Sequence, residues 1–257
     1  LPANDLALLI DAARQAGEIA RSFVGGPLEV QFKAADDSPV TKADLAVNRH
    51  LSQVLRDARP HYAWFSEETP DDTARLAAKR VFIIDPIDGT RSFIEGEKTW
   101  AHALAVVENG RTTAAVIYLP MLDKLYSARL SGGAFLNERR IATGKVKTPE
   151  AAQVLATRAS LKPEWWPGGA PVLRRSYRPS LAYRQSLVAE GRYDAMFTFR
   201  PTWEWDIAAG ALILSEAGAK ITDRHGAPLR FNAPAPQADG LVAANPRLHA
   251  ALLDRLP

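Results

Sequence analysis

The chain has 257 residues, 47% hydrophobic and 24% charged, with a formal charge of +3, enough for one large domain or two closely packed subdomains around a real core. The absence of cysteine excludes a disulfide framework, a thiolate metal site and a cysteine nucleophile, and it fits a cytoplasmic location. No apolar run approaches the ~20 residues of a membrane span, and the dispersed Lys and Arg give no footprint for nucleic acid, so a small anionic substrate is the expected partner.

In chain order, Leu1 to Val24 lacks a basic leader and a long apolar stretch and reads as an amphipathic helix. Its apolar positions Leu6, Leu9, Ile10, Ala13, Ala16, Ala20, Phe23 and Val24 follow a helical period, with Asn4 as cap and Gly25-Gly26 as stop. Leu28, Val30 and Phe32 alternate like a half-buried strand, and Lys33 to Val40 reads as a loop. Thr41 then caps a helix running to about Arg59, with Asp44 at the third position bonding back to the cap. Val81 to Ile84 is a fully buried strand stopped by Asp85-Pro86. Trp100 to Glu108 and Arg111 to Tyr118 flank Asn109-Gly110 and form a hairpin.

Beyond about Pro149, strands and helices alternate through Gln153–Thr157, Val172–Arg175, Tyr183–Glu190 and Ala195–Phe199. A long helix from Asp206 to Ala217 ends at Gly218, strands follow at Lys220–Thr222 and Leu241–Ala244, and a last helix begins after Pro246. The expected organisation is α/β (α+β): an N-terminal α+β subdomain over residues 1–149 and a C-terminal α/β subdomain over 150–257, sharing a cleft.

Four acidic sites stand where elements begin or end: Asp44, Glu67-Glu68, Asp85-Pro86-Ile87-Asp88-Gly89-Thr90 and Trp205-Asp206. Taken singly, Asp44 serves as a capping-box residue, Glu67-Glu68 as a solvated turn and Asp206 as a helix-opening acid. Asp85 and Asp88 resist that treatment, because a buried strand delivers two carboxylates three residues apart, and like charges so close repel unless a cation or proton intervenes. Mg²⁺ takes such oxygen ligands. Asp85 is suited to bridge two ions, with Asp88 on one and the Ile87 carbonyl on the other, while the Gly89 and Thr90 amides face a phosphate.

The series Asp44, Glu67-Glu68, Asp85-Pro86-Ile87-Asp88-Gly89-Thr90 and Trp205-Asp206-Ile207-Ala208-Ala209-Gly210 resembles the signature of the inositol monophosphatase-like, lithium-sensitive phosphatases, over roughly residues 5 to 250. The resemblance implies a layered αβαβα sandwich of the inositol monophosphatase/fructose-1,6-bisphosphatase type, Mg²⁺-dependent hydrolysis of small phosphomonoesters, Li⁺ sensitivity and a homodimer. By position it implies that Glu67, Asp85 and the Ile87 carbonyl hold one metal and Asp85, Asp88 and Asp206 a second, with a third near Glu67. Gly89 and Thr90 would take the phosphate, with Asp88 and Asp206 facing it, and Asp44 and Thr90 would handle the proton of the attacking water.

Three strings resemble the bacterial 3'(2'),5'-bisphosphate nucleotidases: Arg200-Pro201-Thr202-Trp203-Glu204-Trp205-Asp206, Thr157-Arg158-Ala159-Ser160, and Leu187-Val188-Ala189-Glu190-Gly191 behind Arg184. Arg158 and Arg184 are therefore candidates to meet a second phosphate, which favours 3'-phosphoadenosine 5'-phosphate as substrate. Inositol phosphate is the alternative, then fructose 1,6-bisphosphate, because Ser180-Leu181-Ala182-Tyr183 departs from the Gly-Ser-Ser-like string usual there. Arg184 has a competing reading as a cation on a helix surface. A Mg²⁺-binding regulator without turnover is the reading from another class, while a Rossmann module lacks its glycine fingerprint. Trp165 and Trp166 read as loop anchors more than as a stacking edge, and His102 as a core histidine.

Overall fold

The computed structural model describes residues 2–34 and 37–257. Helix α1 (Pro2–Phe23) starts ahead of Asn4, whose cap side chain lies outside the described residues, and ends where Gly25 takes φ +79°. The alternation from Leu28 to Phe32 yields only the two-residue strand β1 (Gln31–Phe32), which pairs with β2 (Pro39–Val40). This corrects the half-buried strand, while the loop reading holds at residues 33–34 and 37–38, gives way to β2 at Pro39–Val40 and falls outside the described residues at 35–36. The hairpin has no sheet to lie against, and Phe32 remains 64% exposed.

Helix α2 (Lys42–Ala58) carries the expected capping box, the Thr41 side chain accepting from the Asp44 amide and Asp44 accepting from the Thr41 amide. Seven strands then form one sheet in the order β3 (Ala63–Ser66), β4 (Arg80–Asp88), β5 (Ala101–Glu108), β6 (Arg111–Leu119), β7 (Lys124–Arg129), β8 (Gly133–Leu136) and β9 (Arg139–Arg140). Only β3 and β4 run parallel in it. Asn109 and Gly110 both take positive φ at the β5–β6 turn, as the Asn-Gly signal requires. The short helix α3 (Thr90–Ile94) follows β4.

The second sheet has the order β11 (Arg174–Ser176), β10 (Gln153–Leu155), β12 (Ala195–Trp203), β14 (Gln237–Ala244), β13 (Lys220–Thr222), with β11, β10 and β12 parallel. Helices α4 (Leu181–Ala189) and α5 (Glu204–Glu216) lie between the sheets. Leu187, Ile213 and Leu214 pack against Ile83 and Ile117 on one side and Met196 and Leu241 on the other. α1 and α2 cover the outer face of the first sheet through Leu9, Val47 and Leu51 against Phe82 and Leu104. α6 (Pro246–Leu253) covers the second through Leu248 against Phe197 and Val242.

The result is a layered αβαβα sandwich. Strand neighbours such as Ile83 and Ile84 enter different cores, which is why these strands are apolar without alternation.

A buried arginine ties the halves together behind the middle layer. Arg75, 2% exposed, donates to Asp71, to the Asn232 side chain and to the Ala233 carbonyl. Glu204 at the start of α5 accepts from the amides of Asn232 and Ala233.

Candidate metal centre

Asp85 and Asp88 sit on either side of a register break in β4 opposite β5. The strand thus runs past Asp85-Pro86 instead of stopping there, and Pro86 occupies the irregular position where no ladder donor is needed. The break turns both carboxylates to one side. From β5, buried His102 faces the Pro86 carbonyl with Nδ1, a short contact inside the irregular turn. Burial pushes its imidazole down to about 4, so it is neutral there. It is a core histidine as expected, yet one ring nitrogen, Nε2, has no partner.

Asp206 comes from the third position of α5, which begins at Glu204 with Trp203 as its cap residue, and so it is not itself the cap. Oxygens of Asp85, Asp88 and Asp206 lie within 4.8 Å of one another. Asp85 and Asp88 are buried and Asp206 partly so. Burial raises the carboxyls of Asp85 and Asp206 far above the ordinary carboxylate range. Glu67, Asp88 and Asp206 add to the effect on Asp85, and Asp88 and Glu67 to that on Asp206. Asp85 Oδ1 is buried with no hydrogen-bond partner. A buried acceptor without a donor, amid other acids, fits a divalent cation with oxygen ligands.

Glu67 leaves the end of β3, whose parallel register sets Ser66 beside Ile84, so it emerges next to Asp85. Its amide donates to the Ile84 carbonyl (3.2 Å). Its carboxylate, however, is paired with Lys33 Nζ at 2.8 Å, and Lys33 also reaches Glu68 at 2.7 Å. Glu67 therefore stands beside the three aspartates without joining their cluster. Glu68 is not a free solvated turn residue: burial and Glu67 push it up to about 7 despite Lys33. Asn48 pins this turn, donating to the Glu68 carbonyl and accepting from Ser66 Oγ.

Asp44 is 1% exposed and accepts from the Thr41 hydroxyl at 2.6 Å on Oδ2. The Thr90 hydroxyl lies 3.3 Å from its Oδ1 and 3.2 Å from the Ile87 carbonyl. Burial raises Asp44 to about 6, with the Thr41 hydrogen bonds acting the other way. Gly89, at φ +96°, makes the left-handed turn from β4 into α3 that L side chains adopt only with strain.

Ser180 was not singled out by sequence reasoning. It caps α4, accepting from the Tyr183 amide, and donates to Asp88 Oδ2 at 2.6 Å, beside the Ala182 amide at 2.5 Å. Its signal was present as a cap residue ahead of an apolar helix, but nothing local tied that cap to an acid ninety-two positions away. Gln185 in α4 likewise donates to the Asp206 carbonyl at 2.8 Å.

Arg184 is 5% exposed, not a surface cation. It donates to the carbonyls of Arg178 and Pro179 and lies 4.8 Å from the Tyr177 ring centroid, so two of its five donors are engaged by the turn before α4. Arg158 is exposed just beyond β10. Trp166 is buried, donating to the Ser160 carbonyl and packing on Phe197 and Phe199, and Trp165 packs on Phe199. Both anchor the outer core. No helix among the described residues is long and apolar enough to cross a membrane.

A family model described as the inositol monophosphatase family matches residues 2–256. An inositol-1-monophosphatase of Rhizobium meliloti is 34% identical over 233 residues, covering 86% of each chain. A 3'(2'),5'-bisphosphate nucleotidase CysQ of Shigella flexneri is 31% identical over 226 residues, covering 85% of this chain and 90% of its own. Among solved structures, the Thermotoga maritima IMPase superimposes with a TM-score of 0.84 at 28% identity, covering 98% of this chain and 96% of that one.

Proposed function

This chain belongs to the inositol monophosphatase family, and from that premise we propose that it is a Mg²⁺-dependent phosphomonoesterase acting on a bisphosphorylated nucleotide, 3'-phosphoadenosine 5'-phosphate, to give AMP and phosphate. The observation carrying the metal-dependent chemistry is the convergence of Asp85, Asp88 and Asp206 around an Asp85 oxygen with no donor. Those three residues would hold Mg²⁺, with the Ile87 carbonyl and a Glu67 released from Lys33 completing a set for two or three ions. When bound, the ions would neutralise charge on the phosphoryl oxygens and favour attack by water at neutral pH.

The protein groups do the rest. Asp44 and Thr90 form a proton relay: the Thr90 hydroxyl accepts the proton of the attacking water as it passes its own to the buried Asp44 carboxylate. Ser180 and the Ala182 amide hold Asp88 fixed from behind, so its other oxygen faces the site. The left-handed turn at Gly89 directs the start of α3 toward the same space, for the ester phosphate.

The nucleotide substrate is supported by the CysQ relatives and by exposed Arg158 at the carboxyl end of β10, the side of a parallel sheet where ligands gather. An inositol monophosphate is the second reading, favoured by the identity to the Rhizobium enzyme. Li⁺ inhibition, a homodimer and a cytoplasmic location belong to the proposal as family expectations. The test is phosphate release with Mg²⁺ from 3'-phosphoadenosine 5'-phosphate and from inositol 1-phosphate, compared by kcat/KM. A clear preference for the nucleotide supports the proposal, preference for the inositol ester replaces the substrate, and release from neither turns the test to fructose 1,6-bisphosphate, whose failure in turn sinks the enzymatic reading.

A further inference from the structure

β12 loses its regular pairing with β14 immediately before the metal centre. Thr198 faces Leu241 and Pro201 faces Asp239, so Phe199 and Arg200 together oppose Gly240. Two residues against one is a β-bulge, a device that re-aims a side chain and often lies beside an active site. The bulge leaves no room for a larger partner: a Cβ on Gly240 would stand 2.7 Å from the Thr198 carbonyl oxygen and 3.1 Å from the Phe199 Cα, and Gly240 has φ +71°. Phe199 is buried in the outer core while Arg200 is turned out to solvent.

Arg200 makes no side-chain hydrogen bond or ion pair among the described residues. It stands at the end of β12 that leads directly into α5 and Asp206, and its positive charge acts to lower both the Asp206 carboxyl and the Arg184 guanidinium. The other basic residues here differ. Arg184 is held by the carbonyls of Arg178 and Pro179, and Arg178 by the Tyr177 carbonyl and the Tyr193 hydroxyl. Arg158 shares the freedom of Arg200 and leaves the adjacent parallel strand: Leu155 pairs with Met196, and the two arginines follow three and four residues later at the same end of the sheet.

We propose that Arg200 is the specificity-determining residue of this site, pairing with the phosphate of a bisphosphorylated substrate that is not hydrolysed, with Arg158 beside it. The inference rests on the bisphosphate reading above and moves the second-phosphate role from Arg184, which is already engaged, to Arg200. A guanidinium offers a planar fork of donors that matches phosphate oxygens. An exposed arginine can keep its fork free for such a ligand, whereas a buried one must spend it on its surroundings.

The experiment is steady-state kinetics of wild type, Arg200→Met and Arg200→Lys with Mg²⁺, on 3'-phosphoadenosine 5'-phosphate and on 2'-AMP. Product inhibition by 5'-AMP, which retains the second phosphate, is read alongside. The expected result is that Arg200→Met lowers kcat/KM for the bisphosphate at least about tenfold more than for the monophosphate, chiefly through KM, and weakens 5'-AMP inhibition similarly. Arg200→Lys should recover part of both. Equal losses on the two substrates would make Arg200 a partner of the acids and overturn the assignment, as would kinetics of Arg200→Met unchanged on both, and either outcome leaves the substrate reading standing. A wild type with no preference for the bisphosphate overturns the substrate reading and this assignment with it.

Discussion

The Thr90 hydroxyl stands 3.3 Å from Oδ1 of Asp44, forty-six positions earlier in the chain, and bridges it to the Ile87 carbonyl. The same aspartate is the capping-box acid of α2. The structural role and the proposed chemical one therefore use different oxygens: Oδ2 is taken by Thr41 and Oδ1 faces Thr90. Thr90→Val keeps shape and removes the relay. It should lower kcat by about 10²- to 10⁴-fold with little change in melting temperature. A variant within a few-fold of wild-type kcat would remove Thr90 from the chemistry.

Ser180→Ala should act on two levels, because one hydroxyl both caps α4 and holds Asp88. The lost cap costs about 1 kcal/mol of stability, read as a lower denaturant midpoint. The loosened Asp88 should weaken Mg²⁺ binding measured by calorimetry. Weaker stability with unchanged Mg²⁺ affinity would confine Ser180 to the cap.

The acids of the centre set a pH dependence. Burial and mutual repulsion raise Asp85 and Asp206, and burial raises Asp44 to about 6 and Glu68 to about 7. In the unfolded chain the same groups ionise near their ordinary values of about 4. The native state thus holds more protons through this window, and stability falls as pH rises through it. The melting temperature of metal-free protein should drop between about pH 5 and pH 8, and saturating Mg²⁺ should recover it most at the upper end. A metal-free melting temperature that rises across that range would contradict these shifts.

Gly210→Ala tests how the middle layer carries Asp206. A Cβ there would lie 2.1 Å from Gln185 Oε1, in the buried side chain whose amide donates to the Asp206 carbonyl. Overpacking of this kind costs about 1–3 kcal/mol. Gln185→Ala combined with Gly210→Ala should recover much of that loss in thermal denaturation, while an undisturbed single variant would refute the close packing.

The helices and the metal-site acids were legible because their signals are local. Thr41 and Asp44 spell a capping box, Asn109-Gly110 a hairpin turn, and Asp85-Pro86-Ile87-Asp88-Gly89-Thr90 a strand delivering acids into a turn. Phe32 misled, since alternation signals a half-buried strand only when a sheet exists to bury it. Strands β7 to β9 gave no strong signal, being short and held by neighbours distant in sequence. The pairing of Lys33 with Glu67 and Glu68, the grip of Ser180 on Asp88 and the burial of Arg184 all depend on which loops the sandwich brings together. No spacing rule along the chain encodes that.

The clasp at Arg75 bears on how the two sheets can move against each other. Its guanidinium is almost wholly enclosed and joins the segment after β3 to the turn before β14. Swinging the two sheets apart would break its bonds to Asn232 and Ala233 and leave it with Asp71 alone, at about 1–3 kcal/mol for each buried bond left unmet. The sandwich is thus a fixed frame at this seam and not a jaw, and any motion that parted the two sheets would first have to undo the clasp.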